Sequence, residues 1–222
     1  MVELTEEIRQ RAEKWASEPF DDETRQEVQA LLDAGDDGEI YERFYKDLEF
    51  GTGGLRGLMG AGLNRMNRYT VGRATQGLAN YILKAVSDET PVSVAIAHDS
   101  RNRSDEFARE AACVLAANNI KVFLFDDLRA TPELSFTVRL MGATAGIVIT
   151  ASHNPKEYNG YKVYWSDGGQ IVPPHDTGII EEVNGIRDFG NLPSMDYGKA
   201  IETKYIELIG RKVDNAYCEA IL

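Results

Sequence analysis

Apolar residues recur at helical spacing through the first fifty positions of the chain. Gly35 separates the last two of three such runs, which are Leu4-Ile8-Ala12-Trp15, Val28-Leu31-Leu32 and Ile40-Phe44-Leu48. We therefore predict that residues 1–49 form a helical extension packed on the domain that follows. After a glycine-rich segment, FGTGGLRGLMGAGLNRMN, another amphipathic helix is predicted from the spacing of Val71, Ala74, Leu78 and Ile82.

From Pro91 onward, short apolar runs alternate with helical patterns. Residues 92–97, 122–125 and 145–150 are suited to buried strands. Ser104 is a candidate cap for the first intervening helix, which runs to about Ala117, and Thr131-Pro132 opens the second. Strand, helix, strand, helix, strand predicts an α/β fold whose parallel sheet is covered on both faces.

The chain beyond residue 155 predicts one more strand and two more helical stretches. In NGYKVYW, Tyr161, Val163 and Trp165 should share one face, which leaves Lys162 and Tyr164 on a wet face. A helix follows Pro173-Pro174, and a polar linker, DFGNLPSMDYGK, ends the main domain at about residue 198. The remainder, residues 199–222, is helical in pattern, and we expect it to begin a further, truncated domain.

Composition narrows the functional classes. The 222 residues carry a formal net charge of −12, which argues against nucleic acid or an anionic membrane as a partner. No stretch approaches the roughly 20 apolar residues of a membrane span, and the charged N-terminus does not resemble a signal peptide. Cys113 and Cys218 stand far apart, so a reduced, cytoplasmic compartment is expected.

The candidate chemistry lies where the predicted strands end. Residues 97–101, 126–129 and 150–153 should converge at the carboxyl edge of the sheet, with Ser152 on a tight turn after a buried strand. His153 is adjacent and should point away, so a protease-like pair is disfavoured. Nearby cations, Arg56, Lys156 and Lys162, favour phosphoryl chemistry over hydrolysis. From the residues alone, a covalent phosphoryl carrier and a structural Asn-Pro turn both stay open.

Four segments taken together resemble one family. They are FGTGGLRG at 50–57, AHDSRN at 97–102, TASHNP at 150–155 and NGYKVYW at 159–165. In this order they resemble the first domain of the α-D-phosphohexomutases, the superfamily of phosphoglucomutase and phosphomannomutase. GGQIVPPHDTGI at 168–179 is most similar to the larger phosphoglucomutase and phosphopentomutase branch. The resemblance implies a three-layer α/β/α domain with a mainly parallel, mixed sheet.

The resemblance also implies roles for particular residues. Ser152 would be the phosphoserine, with His153 and Lys162 as the neighbouring acid–base and charge-stabilising groups. Phosphate would be bound by Thr52, Gly53, Arg56 and Arg101, although Gly53 replaces the serine or aspartate that many relatives carry. The reaction implied is phosphoryl transfer between C1 and C6 (or C5) hydroxyls of a sugar phosphate, with glucose 1,6-bisphosphate as intermediate and activator.

Several parts of that family are not in this sequence. Its magnesium site uses a D-x-D-x-D loop, which is absent here, so a phosphoryl oxygen on Ser152 would be the Mg²⁺ ligand from this chain. We expect the chain to be part of a longer mutase and to be inert or nearly so by itself. Glucose 1-phosphate is the default substrate, and pentose 1-phosphates and mannose 1-phosphate are alternatives. A non-catalytic phosphosugar-binding protein and a bisphosphate synthase or phosphatase remain open.

Overall fold

The computed structural model describes residues 4–87, 90–188 and 190–222. Within these ranges the helices are α1 (Glu6–Trp15), α2 (Asp22–Ala34), α3 (Asp37–Phe44), α4 (Arg68–Ala85), α5 (Ser104–Ala117), α6 (Thr131–Leu140), α7 (His175–Gly185), α8 (Tyr197–Glu202) and α9 (Arg211–Ile221). The strands are β1 (Gly54–Leu58), β2 (Ser93–His98), β3 (Lys121–Phe125), β4 (Ala145–Ile149), β5 (Tyr158–Trp165) and β6 (Ile206–Ile209).

The strands form one mixed sheet in the order β1-β5-β4-β2-β3-β6. Neighbouring strands from β4 to β6 pair in parallel, whereas β5 is antiparallel to both β4 and β1. The expected α/β architecture with a mainly parallel, mixed sheet is confirmed. Its register sets β5 between β4 and β1, with Lys162 opposite both Val148 and Gly54.

Helices cover both faces of the sheet, since the buried strands are continuously apolar and successive side chains point to opposite faces. On β2, Ile96 belongs to the core under α4, α5 and α7, and its neighbour Ala95 belongs to the core under α6 and α9. Both residues are fully buried. The helices on the two faces leave the carboxyl ends of the parallel strands uncovered.

The N-terminal helices share a separate apolar cluster with the start of α4. Trp15 stacks on Phe20 with ring centroids 4.4 Å apart, and Tyr69 meets both rings edge-on. The predicted stop between α2 and α3 is Gly35, whose left-handed φ of 64° suits glycine. Helix α3 ends at Phe44, so Leu48 lies beyond it. No helix in the described part of the chain is long and apolar enough to cross a membrane.

Three local predictions were wrong. Ser104 does not cap α5: it is the first helical residue, and the cap position is Arg103 with a left-handed φ of 62°. Tyr164 is buried against the α6 face, so only Lys162 of the predicted wet pair is partly exposed. Residues 206–209 are not helical, because they complete the sheet by pairing with β3. The sheet therefore crosses the predicted boundary at residue 198, and a second domain starting there stays a prediction.

Candidate functional site

Ser152 lies in the loop that joins β4 to β5. Its backbone has a φ of 55°, a left-handed conformation that is uncommon for residues other than glycine. The Ser152 N–H donates to Thr150 Oγ1 at 2.9 Å, and Asn154 N–H donates to the Ala151 carbonyl at 3.1 Å. Backbone strain of this kind concentrates at functional sites. The turn presents the serine at the surface, immediately beyond the carboxyl end of a fully buried strand.

Lys162 contacts the serine directly. Its Nζ donates to Ser152 Oγ at 2.7 Å, from the middle of the neighbouring strand β5. Because side chains alternate along β5, Tyr161 and Val163 enter the core on one face of the sheet. Lys162 lies on the opposite face, from which its side chain reaches the serine loop. A positive charge thus lies at hydrogen-bond distance from the oxygen predicted to carry the phosphoryl group.

The glycine-rich segment, which includes β1, also lies beside the serine loop. At Gly54, where φ is 145°, a β-carbon would lie 1.8 Å from the Tyr161 carbonyl oxygen, so glycine is required for the strands to approach. The Gly53 carbonyl accepts from Val163 N–H at 3.0 Å. On β1 itself, the Arg56 guanidinium donates to Asn154 Oδ1 at 3.1 Å, which ties this strand to the serine loop.

A cavity of about 550 Å³ opens between the glycine-rich segment and β5. Four of the predicted site residues line it, namely Thr52, Gly53, Arg56 and Lys162. Thr150, which precedes the serine loop, and Gln170 also line the cavity. A larger cavity of about 750 Å³ lies between α2 and α5, away from Ser152, and carboxylates outnumber arginines in its lining. The smaller cavity is therefore the candidate site for an anionic ligand.

Arg101 lies beside the serine loop, where its guanidinium contacts backbone carbonyls. Its Nη2 donates to the carbonyls of Ser152 and Asn154 at 2.7 and 2.8 Å, and its Nη1 donates to those of Pro155 and Tyr158 at 2.9 and 3.1 Å. The two terminal nitrogens of a guanidinium carry four N–H groups, and these four carbonyls match them. No terminal donor is left for a phosphate, so the predicted phosphate contact of Arg101 is not supported by this geometry.

The remaining predicted groups lie apart from the serine. His153 is exposed, and among the hydrogen bonds of the described residues none joins it to Ser152. His98 lines a separate crevice with Asp126 and Asp127. Arg129 donates to both carboxylate oxygens of Asp214, at 2.7 and 3.0 Å. The segment that follows β3 is therefore engaged with α9 rather than with the serine loop.

Two residues of the site were missed in the sequence analysis. Asn154 contacts Arg56, and its place in the TASHNP motif was a signal that went unused. Gln170 donates from Nε2 to the Gly53 carbonyl at 3.4 Å and lines the cavity. It lies twelve residues beyond the start of β5 and is held near the site by an isolated β-bridge to Tyr164. No local sequence pattern predicts this pairing.

The described residues do not form a metal site of their own. Within residues 4–87, 90–188 and 190–222, no group of three or more His, Cys, Asp or Glu side chains could hold a metal ion. This agrees with the expectation that all Mg²⁺ ligands other than a phosphoryl oxygen on Ser152 lie outside this chain, and the Mg²⁺ site itself stays a prediction. What the site does offer is hydrogen-bond donors and positive charge around an exposed serine hydroxyl.

Comparison with known proteins identifies relatives over most of this region. Residues 47–188 match the family model for phosphoglucomutase/phosphomannomutase, alpha/beta/alpha domain I. The chain is 44% identical over 172 residues to a "Probable phosphoribomutase" of Schizosaccharomyces pombe, covering 78% of this chain and 29% of that protein. It is 41% identical over 170 residues to a phosphoglucomutase of Staphylococcus saprophyticus, covering 77% and 30%. The chain thus spans less than a third of the length of these curated relatives.

A solved structure agrees with the fold. A phosphoglucomutase/phosphomannomutase family protein from Burkholderia thailandensis superimposes with a TM-score of 0.57. The match covers 77% of this chain and 34% of that one, at 21% sequence identity. At this identity the match bears on the fold alone.

Proposed function

Because the chain belongs to the phosphoglucomutase/phosphomannomutase family through its α/β/α domain I, we propose that Ser152 carries the phosphoryl group of a phosphosugar mutase. The observation that carries the proposal is the 2.7 Å hydrogen bond from Lys162 Nζ to Ser152 Oγ. It joins an exposed hydroxyl on a left-handed turn to a cation that lines the cavity. A structural Asn-Pro turn would require neither the cation nor the cavity.

The proposed reaction consists of two successive phosphoryl transfers. In the first, a free hydroxyl of the sugar phosphate attacks the phosphorus on Ser152, an oxygen–phosphorus bond forms, and the bond to Oγ breaks. The proton of the hydroxyl ends on Oγ, and a sugar bisphosphate results. In the second, Ser152 Oγ attacks the other phosphoryl group, and its proton passes to the released sugar oxygen. Lys162 stabilises negative charge on Oγ whenever the Oγ–phosphorus bond is breaking.

The glycine-rich segment is proposed to bind phosphoryl oxygens. Thr52 and Gly53 line the cavity, and backbone N–H groups of such loops make good anion contacts. Arg56 adds a guanidinium, which recognises phosphate through paired donors. Its contact with Asn154 keeps it beside the serine loop before any ligand binds. His153 as the acid–base group stays a prediction, since it is exposed and adjacent to Ser152 in the chain.

The substrate is proposed to be a sugar 1-phosphate that is converted to its terminal phosphate. Glucose 1-phosphate is the first candidate. Ribose 1-phosphate is the second, because one of the relatives above is named for phosphoribose rather than phosphoglucose. Since the chain spans less than a third of these relatives, the groups that select the sugar, together with ligands for Mg²⁺, are proposed to lie in further domains.

The test uses the protein isolated from its native source. We expect a peptide map of residues 145–165 to show one phosphoryl group on Ser152, and we expect turnover of glucose 1-phosphate or ribose 1-phosphate with glucose 1,6-bisphosphate as activator. Ser152→Ala should abolish turnover and phosphorylation while it leaves the fold intact. Ser166→Ala, in the turn after β5, is the matched control and should be silent. Full turnover by Ser152→Ala would exclude the phosphoserine, and sugar-phosphate binding without turnover in the native protein would favour a binding protein.

A further inference from the structure

Four backbone carbonyls of the serine loop accept hydrogen bonds from one side chain, that of Arg101. The four carbonyls that accept from Arg101 belong to residues 152, 154, 155 and 158, so they run from the reacting serine to the first residue of β5. The side chain of Arg101 is only 13% exposed, whereas the loop that it holds faces solvent. Arg101 therefore fixes almost the whole loop without contacting the cavity.

Arg101 is itself held in place. Asp99 accepts from the Arg101 backbone N–H at 3.0 Å through Oδ1, and its Oδ2 lies 3.4 Å from the Arg101 Nε. The same Oδ1 accepts from the Ser104 hydroxyl at 3.0 Å. Asn159, which is fully buried, donates to that hydroxyl at 3.0 Å from the start of β5. The guanidinium thus belongs to a polar network that links the carboxyl end of β2 with β5.

We propose that Arg101 is a positioning residue, which aligns Ser152 Oγ for phosphoryl transfer, and not a phosphate ligand. The proposal rests on the function proposed above. Ser152 has its N–H bound by Thr150 and its carbonyl bound by Arg101, so both sides of its unusual backbone are restrained. With the backbone restrained, Oγ is directed at Lys162 Nζ. Phosphoryl transfer needs the attacking and leaving oxygens in line with phosphorus, so the direction of Oγ controls the rate.

Lysine cannot replace arginine in this position. An ammonium group is a point charge on a flexible stem, whereas the planar guanidinium presents donors in a fixed fork. Arg101→Lys keeps the charge and loses the pattern of four carbonyl contacts. If Arg101 were a phosphate ligand, the change would act on the KM for the sugar phosphate, and the loss would be partly offset because lysine also binds phosphate. The substitution therefore separates the two roles.

The experiment compares Arg101→Lys, Arg101→Gln and a control, Arg103→Gln, in the full-length protein. Arg103 is two residues away and forms exposed ion pairs with Glu23 and Glu106. We expect both Arg101 variants to lower kcat by about 10- to 100-fold, as a displacement of the order of 1 Å does. The KM for the sugar phosphate should stay within about threefold, because no substrate contact is removed. Amide hydrogen exchange should accelerate at Ser152, Asn154 and Tyr158 in both variants and stay unchanged in the control.

Several results would contradict a positioning role for Arg101. A raised KM with unchanged kcat, or full activity in Arg101→Lys with loss only in Arg101→Gln, would make Arg101 a phosphate ligand and overturn the proposal. Unchanged kcat together with unchanged exchange in the loop would also overturn it. If Arg101→Gln does not fold, Arg101→Lys and Asp99→Asn supply the same two measurements. Failure of the mutase function itself would be seen separately, as a wild-type protein without turnover or phosphorylation at Ser152.

Discussion

The side-chain amide of Gln170 fills the space beside Gly53. A β-carbon on Gly53 would lie 2.1 Å from Gln170 Nε2, and the same nitrogen donates to the Gly53 carbonyl. The φ of Gly53 is 96°, a value that side chains rarely adopt. The φ and the neighbouring amide both suit glycine at a position where the resemblance led us to expect a serine or aspartate. Residues 53 and 170 should therefore be energetically coupled.

We expect Gly53→Ser to lower the free energy of unfolding by about 1–3 kcal/mol, mostly through backbone strain, because the end of the exposed Gln170 side chain can shift away. In Gly53→Ser/Gln170→Ala the overlap is removed, and about 0.5–1 kcal/mol should be recovered relative to the sum of the single changes. Urea denaturation of the four proteins measures this coupling. Gly142→Ser is the matched control, because its φ is 61° with no atom within 4 Å of a β-carbon, so it reports strain alone. Strict additivity at 53 and 170 would contradict the proposed overlap.

Much of the sheet could be predicted from local pattern. The runs at 92–97, 122–125 and 145–150 are continuous and apolar, because these strands are buried on both faces, and the structure has β2, β3 and β4 there. Alternation in β5 likewise predicted that Lys162 points away from the core that Tyr161 and Val163 enter, and the Lys162–Ser152 contact agrees. A single sequence is therefore sufficient to predict those strands whose hydrophobic pattern follows directly from their burial.

Other features depend on partners that are distant in the chain. Residues 206–209 are too few to set a period, and they become a strand through pairing with β3. Tyr164 was assigned to solvent because the sequence does not tell that α6 covers that face. Arg101 was predicted to bind phosphate, and the positioning role proposed for it rests on four carbonyl contacts that no local sequence pattern predicts.

Lys162 should matter for rate and little for stability. Lys162→Ala removes the donor to Ser152 Oγ from a partly exposed side chain. In the full-length protein we expect kcat to fall by about 10²- to 10³-fold, a milder loss than for Ser152→Ala, with the unfolding midpoint nearly unchanged. Lys156→Ala in the same loop is exposed and is the control. Equal kcat values for the two variants, measured under saturating sugar phosphate, would remove Lys162 from the reaction.

Gly54 should be among the least replaceable positions of the site. Gly54→Ala places a β-carbon 1.8 Å from the Tyr161 carbonyl oxygen and imposes an alanine on a φ of 145°. Because the clash is with backbone, β1 must separate from β5, and we expect a loss of more than about 3 kcal/mol or failure to fold. Gly51→Ala, three residues earlier, meets nothing closer than 4.0 Å and should cost less than about 1 kcal/mol. Thermal unfolding of the two variants makes the comparison, and similar midpoints would show that the strands do not pack as described.

The two cysteines should differ sharply in reactivity. Burial, reinforced by the charges of Glu110 and Asp196, raises the pKa of the Cys113 thiol to about 11 from an ordinary 9.0, whereas Cys218 is exposed. At pH 8 about one thousandth of Cys113 is then thiolate, so iodoacetamide should modify Cys218 first and Cys113 only after unfolding. Because the folded-state pKa is the higher one, this thiol's contribution to stability is fully present below pH 9 and is lost as the pH rises through 11. Peptide mapping after timed alkylation at pH 8, with and without urea, measures the difference, and equal native rates would contradict the burial of Cys113.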